Sequence, residues 1–131
     1  MKSKIEYHDQ KMNIPVETGF VVRVPKQYDE LKYVVYEAPY CWMYFDDNKY
    51  QIDATLQSIS ENLPVGTFFQ CNRSTLINLD RCKRSKKSKY KIAIVMDDDT
   101  EHELSRRRKK DFFKAMYERP TKRGKPGKSG K

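Results

Sequence analysis

The residues of this chain best suited to chemistry form one polar corner, Asn72, Arg73 and Ser74, between two apolar, strand-like runs. An amide beside a guanidinium matches the donors and acceptors of base edges, and all three side chains suit phosphate oxygens. A basic run without a single acid follows the corner: Arg81, Lys83, Arg84, Lys86, Lys87 and Lys89. The positive field of that run attracts a polyanion. The segment therefore predicts a nucleic-acid-binding protein, and DNA is the favoured partner.

The charge distribution of the whole chain supports this interpretation. The 131 residues include 27 lysines and arginines against 18 aspartates and glutamates, so the formal net charge is +9. Acids are concentrated at 97–103, whereas bases cluster at 81–91, 106–110 and 119–131. A merely soluble basic protein needs no such segregation, and the pattern is typical of a basic nucleic-acid-binding domain.

Other function classes have little support in the residue pattern. Cys41, Cys71 and Cys82 form no C-x-x-C pair, and neither His8 nor His102 sits in a metal-ligand or nucleophile motif. We therefore expect no metal, no cofactor, no small-molecule substrate and no enzymatic activity. The N-terminus lacks the apolar stretch of a signal peptide, and no run is long enough to span a membrane. These features favour a soluble protein of the reducing cytoplasm.

The hydrophobic pattern predicts a mainly β protein with many short strands and two helices. Alternating apolar residues indicate half-buried strands, most clearly at 90–96. Over 53–63, apolar residues at i, i+3 and i+7 share one face of a helix that Asp53 or Thr55 caps. A second helix is predicted over 106–117, where it closes the fold.

Composition divides the chain into three segments. Residues 1–12 are a polar N-terminal extension, either loose or an added edge strand. Residues 13–117 form the folded domain, since 131 residues are enough for one core. Residues 118–131 read ERPTKRGKPGKSGK, with six bases and no large apolar residue, so we expect a disordered basic tail.

Four landmarks occur in order along the central segment. They are the strand end Tyr36, Glu37 and Ala38, then TLQSISENLP, then FFQCNRSTLINL, then ELSRRRKKDFFKAM. In this order they resemble the LytTR-type DNA-binding domain of bacterial transcription regulators. Each landmark alone is weak, but their linked order over 13–117 makes the resemblance specific. It implies an elongated antiparallel β fold whose loops, not a recognition helix, enter successive major grooves of DNA.

The resemblance also implies three contact corners. The second is the polar corner already described, where Asn72 replaces the histidine common in the family and suits adenine. The third corner consists of Ser105 and the arginines after it: Arg106, Arg107 and Arg108, with Arg107 the closest match. The first corner, 38–42, is shorter than usual and contains Pro39. Either Tyr40 or Trp42 takes the contact position there, or that contact is lost.

Each of these residues also has a simpler structural interpretation. Arg73 could merely cover a strand end, and Asn78, mid-strand among apolar residues, favours a structural hydrogen bond over DNA contact. The basic run would make nonspecific phosphate contacts or protect an edge strand. Its phosphate candidates, with those of the tail, are Lys83, Arg84, Lys86, Lys87, Lys122 and Arg123. The tail would equally serve solubility.

The leading hypothesis is a sequence-specific DNA-binding transcription regulator that binds repeat sites as a homodimer. The chain has no room for a receiver domain, so if it is complete its activity would be set by its abundance, by a regulatory protein partner or by an inhibitory membrane partner. The alternative is a basic RNA-binding or ribosome-associated protein, because aromatic and lysine residues alternate near Tyr90. Most aromatic residues fall at core-like positions, which favours the DNA hypothesis. The opening Met1 favours an independent chain over a fragment of a longer regulator.

Overall fold

A computed structural model describes residues 4–17 and 21–118. Its strands are β1 Glu6–Tyr7, β2 Lys11–Glu17, β3 Val21–Gln27, β4 Leu31–Glu37, β5 Tyr40–Phe45, β6 Lys49–Ile52, β7 Phe68–Asn72, β8 Thr75–Asn78, β9 Cys82–Lys87, β10 Ile92–Met96 and β11 Glu101–Leu104. The helices are α1 Leu56–Asn62 and α2 Lys109–Glu118, with single 3-10 turns at Tyr28–Glu30, Leu79–Arg81 and Arg106–Arg108. The predicted antiparallel β fold with two helices is confirmed.

The strands form one central sheet and two smaller ones. The central sheet has the order β6-β5-β4-β8-β7, and the smaller sheets have the orders β1-β2-β3 and β11-β10-β9. Every pairing is antiparallel. β5 shows why the central sheet has two packed faces: Cys41, Met43 and Phe45 are buried on one side, and the alternating aromatic residues lie half-buried on the other.

Two hydrophobic clusters lie on the two faces of the central sheet. Neighbouring residues of β4 separate them, since Val34 belongs to the first cluster and Tyr33 to the second. α1 and β2 cover the first cluster, to which Met12 contributes a fully buried side chain. β10, β11 and α2 cover the second, where Phe112 is buried. The central sheet thus fixes the outer layers relative to each other.

Local chemistry sets the ends of the two helices. Thr55 is the N-cap of α1, since its side chain accepts a hydrogen bond of 3.0 Å from the Ser58 amide, as one of the two predicted caps would. The helix therefore begins at Leu56 and not at residue 53. α2 follows directly on the 3-10 turn at 106–108. Phe112 is buried on this helix, whereas Phe113 is 43% exposed. The helix therefore turns Phe112, and not Phe113, fully toward the core.

The domain boundary expected at residue 13 falls inside β2. β2 begins at Lys11 and pairs with β1, and Met12 is fully buried, a burial worth about 2 kcal/mol for a side chain of this size. Residues 6–12 therefore pack with the domain. The expected tail starts at Glu118, which is the last residue of α2, and its other residues, including Lys122 and Arg123, lie outside the described residues. Within the part of the chain that the structure describes, no helix has the length and apolar character needed to cross a membrane.

Candidate nucleic-acid interface

Strand direction brings the first two sequence-predicted corners together. The turn at 38–39 joins the end of β4 to the start of β5. β8 runs antiparallel to β4, so the turn at 73–74, where β8 begins, lies beside the end of β4. The backbone amide of Tyr36 donates a 2.8 Å hydrogen bond to the Ser74 carbonyl at this point. Both turns therefore lie at one end of the central sheet.

Two hydrogen bonds bring the third corner to the same end. The Ser105 amide donates to the Cys71 carbonyl at 2.9 Å, and Asn72 Nδ2 donates to the Glu103 carbonyl at 2.7 Å. These bonds join the end of β7 to the end of β11 and place Arg106–Arg108 beside the polar corner. We call this region the corner end, defined by the turns 38–39 and 73–74 and the segment 105–108.

The arginines of the corner end differ in exposure. Arg73, Arg106 and Arg107 are exposed, and among the described residues no hydrogen bond or ion pair holds their guanidinium groups. Arg108 is half-buried and lies near Cys71, where its charge lowers the thiol pKa. Burial has the larger effect and raises the pKa of Cys71 to about 12. Cys71 is consequently an unreactive thiol that packs beneath the corner.

The Asn72 amide forms hydrogen bonds within the protein. Its Oδ1 accepts from the Ser74 amide at 2.9 Å and from Ser74 Oγ at 3.2 Å. Its Nδ2 donates to the Glu103 carbonyl and lies 3.7 Å from the Cys71 sulfur. A bidentate contact with adenine would use the same two atoms. In this geometry Asn72 shapes the turn and ties it to β11, and it leaves Arg73 to point outward.

The first corner contains one aromatic residue at its edge and one farther along the strand. Tyr40 is half-buried at the start of β5, next to the turn at 38–39. Trp42 lies two residues farther along the same face, opposite Val35 and Gln51. Its ring is 4.9 Å from Lys49 Nζ, a cation–π contact within the sheet. The geometry thus brings Tyr40 to the corner end and keeps Trp42 about 7 Å farther along the strand.

Two of the four phosphate candidates on β9 form ion pairs with acids of the turn at 97–99 and of β11. Lys83 Nζ lies 2.6 Å from an Asp99 oxygen, and Lys86 Nζ lies 3.1 Å from a Glu101 oxygen. Arg84 and Lys87 are exposed and form no ion pair with any residue that the structure describes. β9 is an edge strand, as one interpretation of the basic run predicted.

The opposite end of the sheets is held by ion pairs. Arg81 donates from Nε to Asp97 at 2.6 Å, from Nη1 to the Asp29 carbonyl at 2.9 Å, and from Nη2 to Asp46. Lys32 donates to Asp98 at 3.0 Å in the same region. We call this region the ion-pair end, defined by the turns 46–48 and 97–99 and residues 79–81. Arg81 belongs to the basic run in sequence, but its charge joins two sheets.

Asn78 has the structural role that the sequence favoured. The side chain is 1% exposed and donates from Nδ2 to the Leu31 carbonyl at 2.9 Å. Its Oδ1 accepts from the Asp80 amide at 2.9 Å. These bonds join β8 to the start of β4 and begin the 3-10 turn that carries Arg81. The structural interpretation of Asn78 is confirmed.

Comparisons with known proteins agree with this architecture. Residues 23–117 match the family model of the LytTr DNA-binding domain. A solved structure of a LytTr DNA-binding domain, from a protein of Bacillus cereus named as a methyl-accepting/DNA response regulator, superposes with a TM-score of 0.71. The two are 16% identical, and the match covers 83% of this chain and 98% of the other. The search of curated proteins found no match.

Proposed function

Because this chain belongs to the LytTr family of DNA-binding domains, we propose that it regulates transcription by reading the base sequence of double-stranded DNA with the corner end. One observation carries the proposal: hydrogen bonds from Ser105 and Asn72 hold two arginine-bearing segments, far apart in sequence, side by side at one end of the sheets. Exposed guanidinium groups without protein partners are available to base edges and phosphates.

The side chains at and beside the corner end have distinct parts in the proposed mechanism. Arg73 and Arg107 enter the major groove, where a guanidinium pairs with the O6 and N7 acceptors of guanine. Arg106 and Arg108 bind flanking phosphates, and Ser74 and Tyr40 add polar contacts to the sugar-phosphate backbone of the DNA. The contributions of Asn72 and Trp42 are indirect. The first fixes the turn that carries Arg73, and the second supports the strand that carries Tyr40.

Repeat sites would lengthen the DNA sequence that is read. Two copies of the domain bound to two repeats on one DNA face would supply the specificity that a promoter site needs. A protein partner would then control when the domain binds. Binding to structured RNA is the competing function, and it predicts that RNA displaces duplex DNA at equal salt.

Selection of bound duplexes from a random pool tests the proposal directly. We expect an enriched sequence with two repeats, and structured RNA should not compete for it. On that sequence, Arg73→Ala and Arg107→Ala should each weaken binding by about 1–3 kcal/mol, roughly 5- to 150-fold, while random DNA is affected much less.

Lys83→Ala is the matched control for both substitutions. It removes the same charge from an exposed side chain on β9 that pairs with Asp99 of the ion-pair end, so it should change specific binding little. Recovery of no preferred sequence would contradict the proposal. Equal losses on the selected and random duplexes would mean that the two arginines contact only phosphates.

A further inference from the structure

We infer that the tip of the β9–β10 hairpin, residues 88–91, is a phosphate-binding element that grips the DNA backbone beside the groove entered by the corner end. The inference rests on the proposed function and adds a contact that none of the three corners provides. Position, charge and shape of the tip support it independently.

The register of the small sheet places the tip at the corner end. Ile92 pairs with both Lys87 and Leu104, so these three residues form one row across β9, β10 and β11. β9 and β11 run in the same direction. The residues that follow Lys87 and those that follow Leu104 therefore lie on the same side of this row. With strands about 4.8 Å apart, the end of β9 lies roughly 10 Å from the end of β11. That separation approaches the roughly 12 Å width of the major groove, so one strand end can face the groove while the other meets its edge.

Ion pairing divides the basic run into a neutralised part and a free part. Lys83 and Lys86, on the body of β9, are balanced by Asp99 and Glu101. The lysines at and beside the tip are exposed, and no acid of the described chain pairs with them: Lys87, Lys89 and Lys91. Arg84 is also unpaired among the described residues and lies on the body of β9, so three of the four unpaired cations of this hairpin lie at or beside the tip. Such unpaired cations can displace the condensed counterions from DNA phosphates without first breaking an ion pair within the protein.

The tip is ordered and open. The Ser88 amide donates to the Lys91 carbonyl at 2.8 Å and closes the loop, and Ser88 Oγ reaches the same carbonyl at 3.3 Å. Tyr90 is 71% exposed, and its ring lies 5.5 Å from Lys89 Nζ, so within the described residues the Tyr90 side chain projects from the tip instead of packing into the core. A closed loop loses less conformational freedom on binding than a flexible one. The tip lysines are thus held in position before DNA binds.

Protection of the edge strand is the simpler explanation for basic residues here. Lysines on an edge strand discourage pairing with another chain. This explains Lys83 and Lys86, whose side chains project from the strand itself. It does not explain Lys89 and Lys91, which lie in the loop beyond the last paired residues of β9 and β10. The tip lysines need a different role.

The test compares two double variants of the full chain that remove equal charge. Lys89→Gln with Lys91→Gln neutralises the tip, and Lys83→Gln with Lys86→Gln neutralises the paired positions on the same strand. Affinity is measured by fluorescence anisotropy between 50 and 200 mM salt, on the selected duplex and on a scrambled duplex of the same length. A thermal melt of each variant establishes that it is folded.

We expect the tip variant to reduce the steepness of log affinity against log salt by about 1 to 2, since each lost phosphate contact contributes about 0.9. The ratio of affinities for the two duplexes should stay unchanged, and Lys89→Arg with Lys91→Arg should restore the slope. The paired variant should change the slope much less.

An unchanged slope in the tip variant, or equal changes in both variants, would overturn the inference alone. A change in the duplex ratio would overturn the phosphate role, and failure of the unmodified protein to bind either duplex would overturn the proposed function as well.

Discussion

The two ends of the sheets use the same side chain in opposite ways. At the ion-pair end, the Arg81 guanidinium is held by Asp46, Asp97 and the Asp29 carbonyl. At the corner end, Arg73 and Arg107 are exposed and have no such partner within the described residues. A count of charges along the sequence treats these arginines alike. Pairing in the fold decides which cations stabilise the protein and which remain available to a ligand.

The same distinction explains the acidic cluster at 97–103. In the structure its side chains balance basic residues across the sheets, with Asp97 facing Arg81, Asp98 facing Lys32 and Asp99 facing Lys83. The turn at 97–99 lies at the end of the small sheet opposite the corner end. The three aspartates of this turn therefore lie away from the surface proposed to meet DNA, whereas Glu103 of the same cluster lies beside it.

The largest effect on stability should come from Arg81→Ala. The substitution leaves Asp46 and Asp97 near each other without their shared cation, and the Asp29 carbonyl loses a donor. Arg81 is 14% exposed, whereas the carboxylates are 53% and 41% exposed, so water offsets part of the cost. We expect the free energy of unfolding to fall by about 2 kcal/mol, measured by urea denaturation at pH 7.

Arg73→Ala is the matched control at the other end. It removes an exposed arginine without a partner in the described chain, so the free energy of unfolding should change by less than about 0.5 kcal/mol. Equal stability losses at the two positions would contradict the division between the ends. So would a folded Arg81→Ala variant that recovers a different preferred DNA sequence.

The next largest effect should come from Asn72→Ala, which removes the link between the two arginine segments. Loss of the bonds to Glu103 and Ser74 should cost about 1–2 kcal/mol of unfolding free energy. Affinity for the selected duplex should fall while the selected sequence itself stays the same. If Asn72 instead reads adenine, selection with the variant should relax one base position and leave the others intact.

The sequence predicted the local features of the corner end better than its connections. Alternation identified strands, capping residues limited the N-cap of α1 to Asp53 or Thr55, and the order of motifs placed Arg73 and Arg107 at turns. The partner of Asn72 lies 31 residues away, and that of Lys83 lies 16 away. Such pairs depend on the register between strands, and the alternation of apolar residues within one strand does not specify it. The availability of each cation therefore emerges only in the fold.

The burial of Met12 shows the same limit at the N-terminus. The polar residues around it suggest an extension, and only the pairing of β2 with β1 and β3 directs that side chain into the first hydrophobic cluster. β1 has only two residues, and a strand that short shows almost no alternation of apolar and polar residues in the sequence.

The smallest predicted effect is a pH dependence that arises beside the ion-pair end. His102 is half-buried, with its ring 4.4 Å from that of Tyr33 and its Nε2 3.0 Å from Thr100 Oγ1. Burial lowers the pKa of His102 below its ordinary value of 6.5, and the nearby Asp98 carboxylate offsets this only in part. The unfolded chain therefore binds a proton at a pH where the folded protein does not. Stability should be constant above about pH 7 and decline as the pH falls through the unfolded value.

Asp98 does not contribute to this decline until far lower pH. Hydrogen bonds from Thr100, Lys32 and Tyr33 outweigh its burial and hold the pKa of its carboxyl well below the usual range. Its stabilisation is present above the ordinary value for a carboxyl, about 4, and is lost only as the pH falls toward the folded value. Urea denaturation at pH 7.5 and 5.5 should thus show a smaller stability difference in His102→Gln than in the unmodified protein. Equal differences in the two proteins would assign the proton uptake to another group and leave the ion-pair end insensitive to pH in this range.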